Sequence, residues 1–459
     1  MLEDTFEDTI IAISTPPGYG GIGIIRLSGK DSLILAKRIF KPNKSGIKIQ
    51  PRTAVFGNLV DFERNEALDE GYILYFPAPR SYTRENVVEI SCHGSPVVLE
   101  EALRLGIRAG ARQARPGEFT LRAYLHGRID ILQAEAVNDL IRAVSVETAR
   151  MAFGQVEGKL SKKMKQLRAR AVELIAQVEA SIEFPDDNLG ITPRRNADSL
   201  EKMIAFVEGL VSSYDLGRAL VNGVTLAITG RTNVGKSTLF NALLEEERAI
   251  VTARPGTTRD YLKEKIKIEN TYFNLVDMAG LGKSSTLVEK EGIKIGRSIA
   301  SQADGVLLML DISRKENSED TALLEEFQGK KALIVFNKID KPPQMDISGI
   351  RKDFSCMPGV KISALKGTNL ARLKEKIKDV FSPKINNHED VILHQRQKLL
   401  LEKAFDHLKK GYGLLKQGYA EEIYLEEIRG IIPVIGRLTG EIPEADIIEN
   451  IFERFCVGK

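Results

Sequence analysis

Hydrophobic positions change their spacing three times along the chain, and each change marks a different kind of structure. Up to about residue 118 the apolar residues come in short β-rich runs at 9–13, 22–27, 55–60, 72–76 and 87–91. Such runs, bounded by turn residues, predict strands. Pro16-Pro17-Gly18-Tyr19-Gly20-Gly21 reads as a loop, and residues 97–105 read as a helix behind Pro96. From Phe119 onward the spacing becomes helical. Leu160, Met164, Leu167, Ala171, Leu174 and Val178 step by four and three, which predicts one apolar seam along a long helix. Phe184-Pro185 ends that run, and a further helix is expected over about 198–214.

Between about 217 and 382, apolar runs at 226–228, 272–276, 305–310, 332–336 and 360–362 alternate with helical patterns. That alternation predicts a parallel sheet covered on both faces. After Pro383 the pattern is helical again, over 393–416, 421–439 and 445–455. Helical stretches on both sides of an α/β segment suggest one helical domain split by an insertion. The expected class is therefore α/β plus all-α, in four segments: 1–118, 119–216, 217–382 and 383–459.

Composition narrows the picture. A chain of 459 residues has room for roughly three domains. A hydrophobic content of 43% and a net charge of +3 fit a globular protein and demand no nucleic-acid partner. Lys159, Lys162, Lys163, Lys165, Arg168 and Arg170 share one predicted helix, either as a solvated face or as a contact for RNA phosphates. Three distant cysteines, Cys92, Cys356 and Cys456, show no zinc spacing and suit a reducing cytoplasm. Cys92-His93 has two readings, part of a metal site or, favoured, a buried thiol beside a turn. No apolar run approaches ~18 residues, so no membrane span is expected. The acidic N-terminus argues against a signal peptide.

The chemistry centres on Gly230-Arg231-Thr232-Asn233-Val234-Gly235-Lys236-Ser237, which fits G-x-x-x-x-G-K-[ST] between a strand and a helix. Its glycines let successive N–H groups face phosphate oxygens, and Val234, Gly235 and Thr238 belong to the same cradle. Lys236 would reach the β- and γ-phosphates and Ser237 would hold Mg²⁺. Asp277-Met278-Ala279-Gly280 ends another strand; Asp277 would hold Mg²⁺ and the Gly280 N–H would meet the γ-phosphate. Gly256-Thr257-Thr258-Arg259-Asp260 reads as a switch, with Thr258 the second Mg²⁺ hydroxyl. In Asn337-Lys338-x-Asp340 the carboxylate can accept from N1–H and the 2-amino group of guanine, donors that adenine lacks. Ser363-Ala364 lies where a backbone N–H can meet the guanine O6. Four such motifs in this order indicate a GTP-hydrolysing enzyme. Leu281 stands where small GTPases carry a water-orienting glutamine, so either hydrolysis is slow or another group does that work; Glu289 and Glu291 are candidates.

These motifs, with Thr15-Pro16-Pro17-Gly18, Gly20–Gly29, Ala114–Phe119, Leu132–Ala136 and the terminal Phe455-Cys456-Val457-Gly458-Lys459, resemble the MnmE (TrmE) family of tRNA-modification GTPases from end to end. The resemblance implies an N-terminal α/β folate-binding domain and a helical domain interrupted by an inserted Ras-like P-loop G domain. It implies a homodimer, a heterotetramer with the FAD-dependent partner MnmG, and tRNA as substrate. The chemistry implied is installation of an aminomethyl or carboxymethylaminomethyl group at C5 of the wobble uridine. The one-carbon unit would come from 5-formyl- or 5,10-methylene-tetrahydrofolate. Family folate contacts fall on Arg26, Glu89, Arg128 and Lys459. Cys456 beside Lys459 is implied to act in the chemistry. The family uses K⁺, for which Asn233 and the stretch holding Thr252, Arg254 and Thr257 would supply oxygens. Glu289 aligns with the family's water-orienting glutamate. Met278 and Gly282 depart from the family's usual threonine and arginine.

Two other readings fit the G motifs. One is a switch of the ribosome-assembly type, which needs neither Arg26/Glu89 nor the Cys456–Lys459 tail; a folate titration separates the two. The other is a scaffold that hydrolyses GTP slowly.

Overall fold

The computed structural model describes residues 7–44, 46–143, 145–184, 193–245, 263–269, 271–277, 303–382, 391–442, 444–453 and 455–459. The chain divides into two compact units, each with its own sheet. One comprises residues 1–142, 150–211 and 396–459, and the other 143–149 and 212–395.

The first unit carries a seven-stranded sheet. Its spatial order is Phe40–Pro42, Val55–Asp61, Glu66–Phe76, Val87–Gly94, Gly20–Ser28, Ile10–Ile13 and Arg112–Gln113. Its pairings are antiparallel except that of Ile10–Ile13 with Arg112–Gln113. Alternation along the strands decides what each face carries. Ile25, Leu27, Val88 and Ile90 pack against Leu35, Ile39, Leu99 and Leu105 from the helices Ser32–Ile39 and Pro96–Arg108. Arg26 and Glu89, lying between those apolar residues and paired in register, therefore face the other side. On that side Ile10 and Ala12 pack on Ala114 and Phe119.

The helices of this unit follow the predicted seam. Leu160, Met164, Leu167, Ala171, Leu174 and Val178 are all buried in the helix Lys159–Glu183. It packs on Glu421–Thr439, whose Ile428, Ile431, Ile435 and Leu438 are buried. Lys159, Lys162, Lys165 and Arg170 lie on its exposed side. Glu135 is buried between helices, where Arg396 (2.9 and 3.0 Å) and Gln397 (2.8 Å) satisfy its carboxylate. A buried charge left without such partners costs ~3–5 kcal/mol. Among the described residues no helix is long and apolar enough to cross a membrane.

In the second unit the sheet runs Gly359–Lys361, Ala332–Asn337, Gly305–Asp311, Val224–Gly230, Thr271–Asp277 and Lys263–Ile268. All neighbours are parallel except the last pair. The central strands Gly305–Asp311 and Ala332–Asn337 are buried along their whole length and are apolar up to their last residue, as burial on both faces requires. Val224–Gly230 has a later strand on each side of it, so the strand order reverses there. Ligands of open α/β sheets bind outside the strand ends at such a reversal. Gly230 and the phosphate-loop motif sit at that point.

Candidate functional site

The loop after Val224–Gly230 is held open by backbone conformations that few side chains tolerate. Gly235 has φ +104°, and a Cβ there would lie 2.5 Å from Asn337 Nδ2. Glycine is thus required both by conformation and by the close approach of Asn337. Asn233 holds φ +62°, a left-handed position that asparagine reaches more readily than most residues. Lys236 opens the helix Lys236–Glu245 and folds its Nζ onto the carbonyls of Gly230 and Arg231, both at 2.8 Å. Val234 is buried beneath the loop, while Ser237 and Thr238 are exposed at the helix start. Arg231 is pinned outward by Glu319 at 2.7 Å.

The base-reading motif is tied to this loop side chain by side chain. Asn337, buried at the end of Ala332–Asn337, donates to the Val234 carbonyl at 2.8 Å and accepts from the Ala364 N–H at 2.9 Å. The Ala364 N–H therefore serves to orient Asn337. Lys338 Nζ donates to the Asn233 carbonyl at 2.7 Å and to Asp311 at 2.6 Å. Asp340 accepts from Ser363 Oγ at 2.6 Å. That bond is the main reason its carboxyl sits below the ordinary carboxylate range, so at neutral pH it is an acceptor only. Burial pushes the Asp311 carboxyl up, but hydrogen bonds from Lys338 and Ser313 outweigh it and the net shift is downward.

Asn233, Val234, Gly235, Lys236, Asn337, Lys338, Ser363 and Ala364 thus converge at one end of the sheet. Asp277 closes the strand Thr271–Asp277 beside Ile228, in register with it. Thr252, Arg254, Thr257, Thr258, Gly280, Leu281 and Glu289 lie outside the described residues.

A second cluster forms in the first unit, where the chain's last residues dock. Arg26 Nε binds Glu89 at 2.8 Å, and its Nη1 donates to the Gly458 carbonyl at 3.3 Å. Ser14 Oγ donates to the same carbonyl at 3.1 Å. Val457 bridges to Pro116, and the Gly117 N–H donates to the Cys456 carbonyl at 3.4 Å. Gly458 has φ +96°, and a Cβ there would meet the Ile13 carbonyl at 2.3 Å, so only glycine fits. Burial, and then the Arg26 charge, lower the Lys459 ammonium from its usual value. Cys456 itself is exposed.

Arg128 stacks over Tyr82 at 4.9 Å and donates to the Ser81 carbonyl at 2.9 Å. Tyr82 lies within the electrostatic reach of both Arg128 and Arg26. Its hydroxyl meets Thr120 Oγ1 at 3.0 Å. The loop carrying Tyr82 is anchored by Glu85, which meets Ser28 Oγ at 2.6 Å and the fully buried Arg122 at 3.2 Å. Sequence reasoning did not find Tyr82, Ser14 or Arg122, because no local spacing marks them. It also missed Asp311, although a carboxylate closing an otherwise apolar strand is a visible signal. Cys92 is buried within a strand and His93 pairs with Asp69 at 2.7 Å; among the described residues no metal-binding cluster forms.

Comparison with known proteins covers both units. A model of the TrmE N-terminus matches residues 9–128, and a model of the MnmE helical domain matches residues 131–456. The tRNA modification GTPase MnmE of Aquifex aeolicus is 40% identical over 99% of this chain and 100% of its own length. Its namesake from Syntrophus aciditrophicus is 39% identical over 99% and 100%. The one from Geobacter sulfurreducens is 40% identical over 99% of both chains. A phosphate loop wired to an Asn-Lys-x-Asp motif, and a helical-domain match that spans the inserted unit, agree with these matches: the chain belongs to the MnmE (TrmE) family of tRNA-modification GTPases.

Proposed function

We propose that this GTPase depends on K⁺ and acts with an FAD-dependent partner of the MnmG type on the wobble uridine of certain tRNAs. The reaction places an aminomethyl or carboxymethylaminomethyl group at C5, with a tetrahydrofolate as one-carbon donor. The observation that carries this reading is the docked tail. Arg26, paired with Glu89, holds the Gly458 carbonyl, and this brings Lys459 and the Cys456 backbone into the Arg26 neighbourhood. A GTP switch of the ribosome-assembly type has no use for such a cluster. Arg26, Glu89, Arg128 and Lys459 supply the mixed charges that an anionic, amide-bearing pterin cofactor requires, and Tyr82 supplies an aromatic face. The protein would work as a homodimer in the cytoplasm.

In the G unit, Ser237, Thr258 and Asp277 would hold Mg²⁺. Asn233 fits a cation site, because its side chain is exposed at the loop rim while its carbonyl is taken by Lys338. The stretch with Thr252, Arg254 and Thr257 would complete that site. K⁺ there would supply the electrostatic stabilisation that an arginine provides in other GTPases. Glu289 would orient the attacking water in place of Leu281. GTP turnover should therefore fall on the order of 10²-fold when K⁺ is replaced by Na⁺. Glu289→Ala should lose turnover yet keep K⁺-driven association, and Asn233→Ala should lose both. Steady-state hydrolysis with size measurements in each salt checks this; equal turnover in K⁺ and Na⁺ would remove the cation from the mechanism.

A further inference from the structure

The strand Gly305–Asp311 is buried from end to end and closes on a carboxylate in register with Asn337. Asp311 is only 6% exposed, and the bonds it accepts occupy both of its oxygens. Oδ1 accepts from the Ser313 N–H at 3.0 Å and Oγ at 2.6 Å, and Oδ2 accepts from Lys338 Nζ at 2.6 Å. Lys338 passes that restraint on, since its Nζ also donates to the Asn233 carbonyl at 2.7 Å. Asn233 and Lys338 are both non-glycine residues at positive φ, +62° and +71°. Conformations of that kind persist where surrounding contacts over-determine them. The ammonium is therefore a strut between the strand that reads the base and the loop that cradles phosphate, and Asp311 fixes its position.

Asp340, which would read the base edge, has a different anchor. It is held by Ser363 Oγ, outside the Asp311 network. Base choice and loop retention thus rest on separate carboxylates. We propose that Asp311 is a positioning residue that sets how long a guanine nucleotide stays bound, without taking part in choosing the base. Its charge matters because a neutral amide accepts a weaker bond from the ammonium and can turn its own donors toward it.

The test uses the full-length protein with Asp311→Asn, Lys338→Ala and the double variant. A fluorescent GDP analogue gives the dissociation rate, and competition gives the preference for GDP over IDP, which lacks the 2-amino group. Asp311→Asn should release GDP faster by a factor on the order of 10 to 100, the size of one lost charge-assisted hydrogen bond. The GDP-to-IDP preference should stay within about twofold. The double variant should release GDP no faster than Lys338→Ala alone, since the two residues act as one unit. Ser313→Ala, which loosens the other carboxylate oxygen, should give a smaller change in the same direction and serves if the asparagine variant does not fold. A purely structural carboxylate would lower the melting temperature of nucleotide-free protein and leave the release rate alone. A release rate within about twofold of wild type, multiplicative effects of the two substitutions, or a loss of GDP-to-IDP preference as large as the change in rate would each overturn the proposal.

Discussion

Asp340→Asn should lower the affinity for GTP by a factor on the order of 10⁴ and create affinity for xanthosine nucleotides. Ser363 fixes one carboxylate oxygen at 2.6 Å and holds the carboxyl below the ordinary carboxylate range, so at neutral pH it can only accept. Guanine offers two donors on one edge, N1–H and the 2-amino group. An amide in place of the carboxylate sets one donor against another. Xanthine carries an oxygen at that edge and accepts what the amide gives. The neighbouring Asn337 and Lys338 contacts to the phosphate loop do not involve Asp340, so the fold of the unit should survive. Competition binding with GTP and XTP reads the switch; unchanged GTP affinity would remove Asp340 from base recognition.

Cys456→Ser should reduce tRNA modification to background while leaving GTP hydrolysis intact. The tail is fixed by backbone bonds to Gly117 and by the Gly458 carbonyl, which Arg26 and Ser14 share. None of these contacts uses the thiol, which faces solvent. A serine would therefore dock in the same way and change only the reacting atom. A hydroxyl is a far weaker nucleophile than a thiol near neutral pH. The phosphate loop belongs to the other compact unit, and the bonds that hold it run to Asn337, Lys338 and Glu319, so the substitution leaves those bonds in place. Mass spectrometry of tRNA alongside a phosphate-release assay separates the two outcomes. Normal levels of modified uridine in the variant would assign Cys456 no chemical role.

Much of this architecture is visible in local pattern. The seam from Leu160 to Val178 is buried at each predicted position, and the helix Glu421–Thr439 spans the expected residues. The phosphate loop and Asn337-Lys338-x-Asp340 are legible because their spacing encodes a backbone shape and a hydrogen-bond pattern. Long-range features are not. Phe40–Pro42 and Arg112–Gln113 are strands only because a neighbour pairs with them, and two or three residues carry no period. Lys263–Ile268, an edge strand rich in lysine, looks like a charged loop until it is seen against Thr271–Asp277. Tyr82 acquires its place from Arg128, 46 positions away in sequence, and Asp311 from register with Asn337. No spacing rule reaches across such separations, because the contacts are made by topology.

The most direct test of the whole account is mass spectrometry of wobble uridines in tRNA from cells that lack this protein. Loss of the C5 substituent, restored by the wild-type gene and not by Cys456→Ser, is the predicted result; C5-modified wobble uridine at wild-type levels in its absence would contradict it.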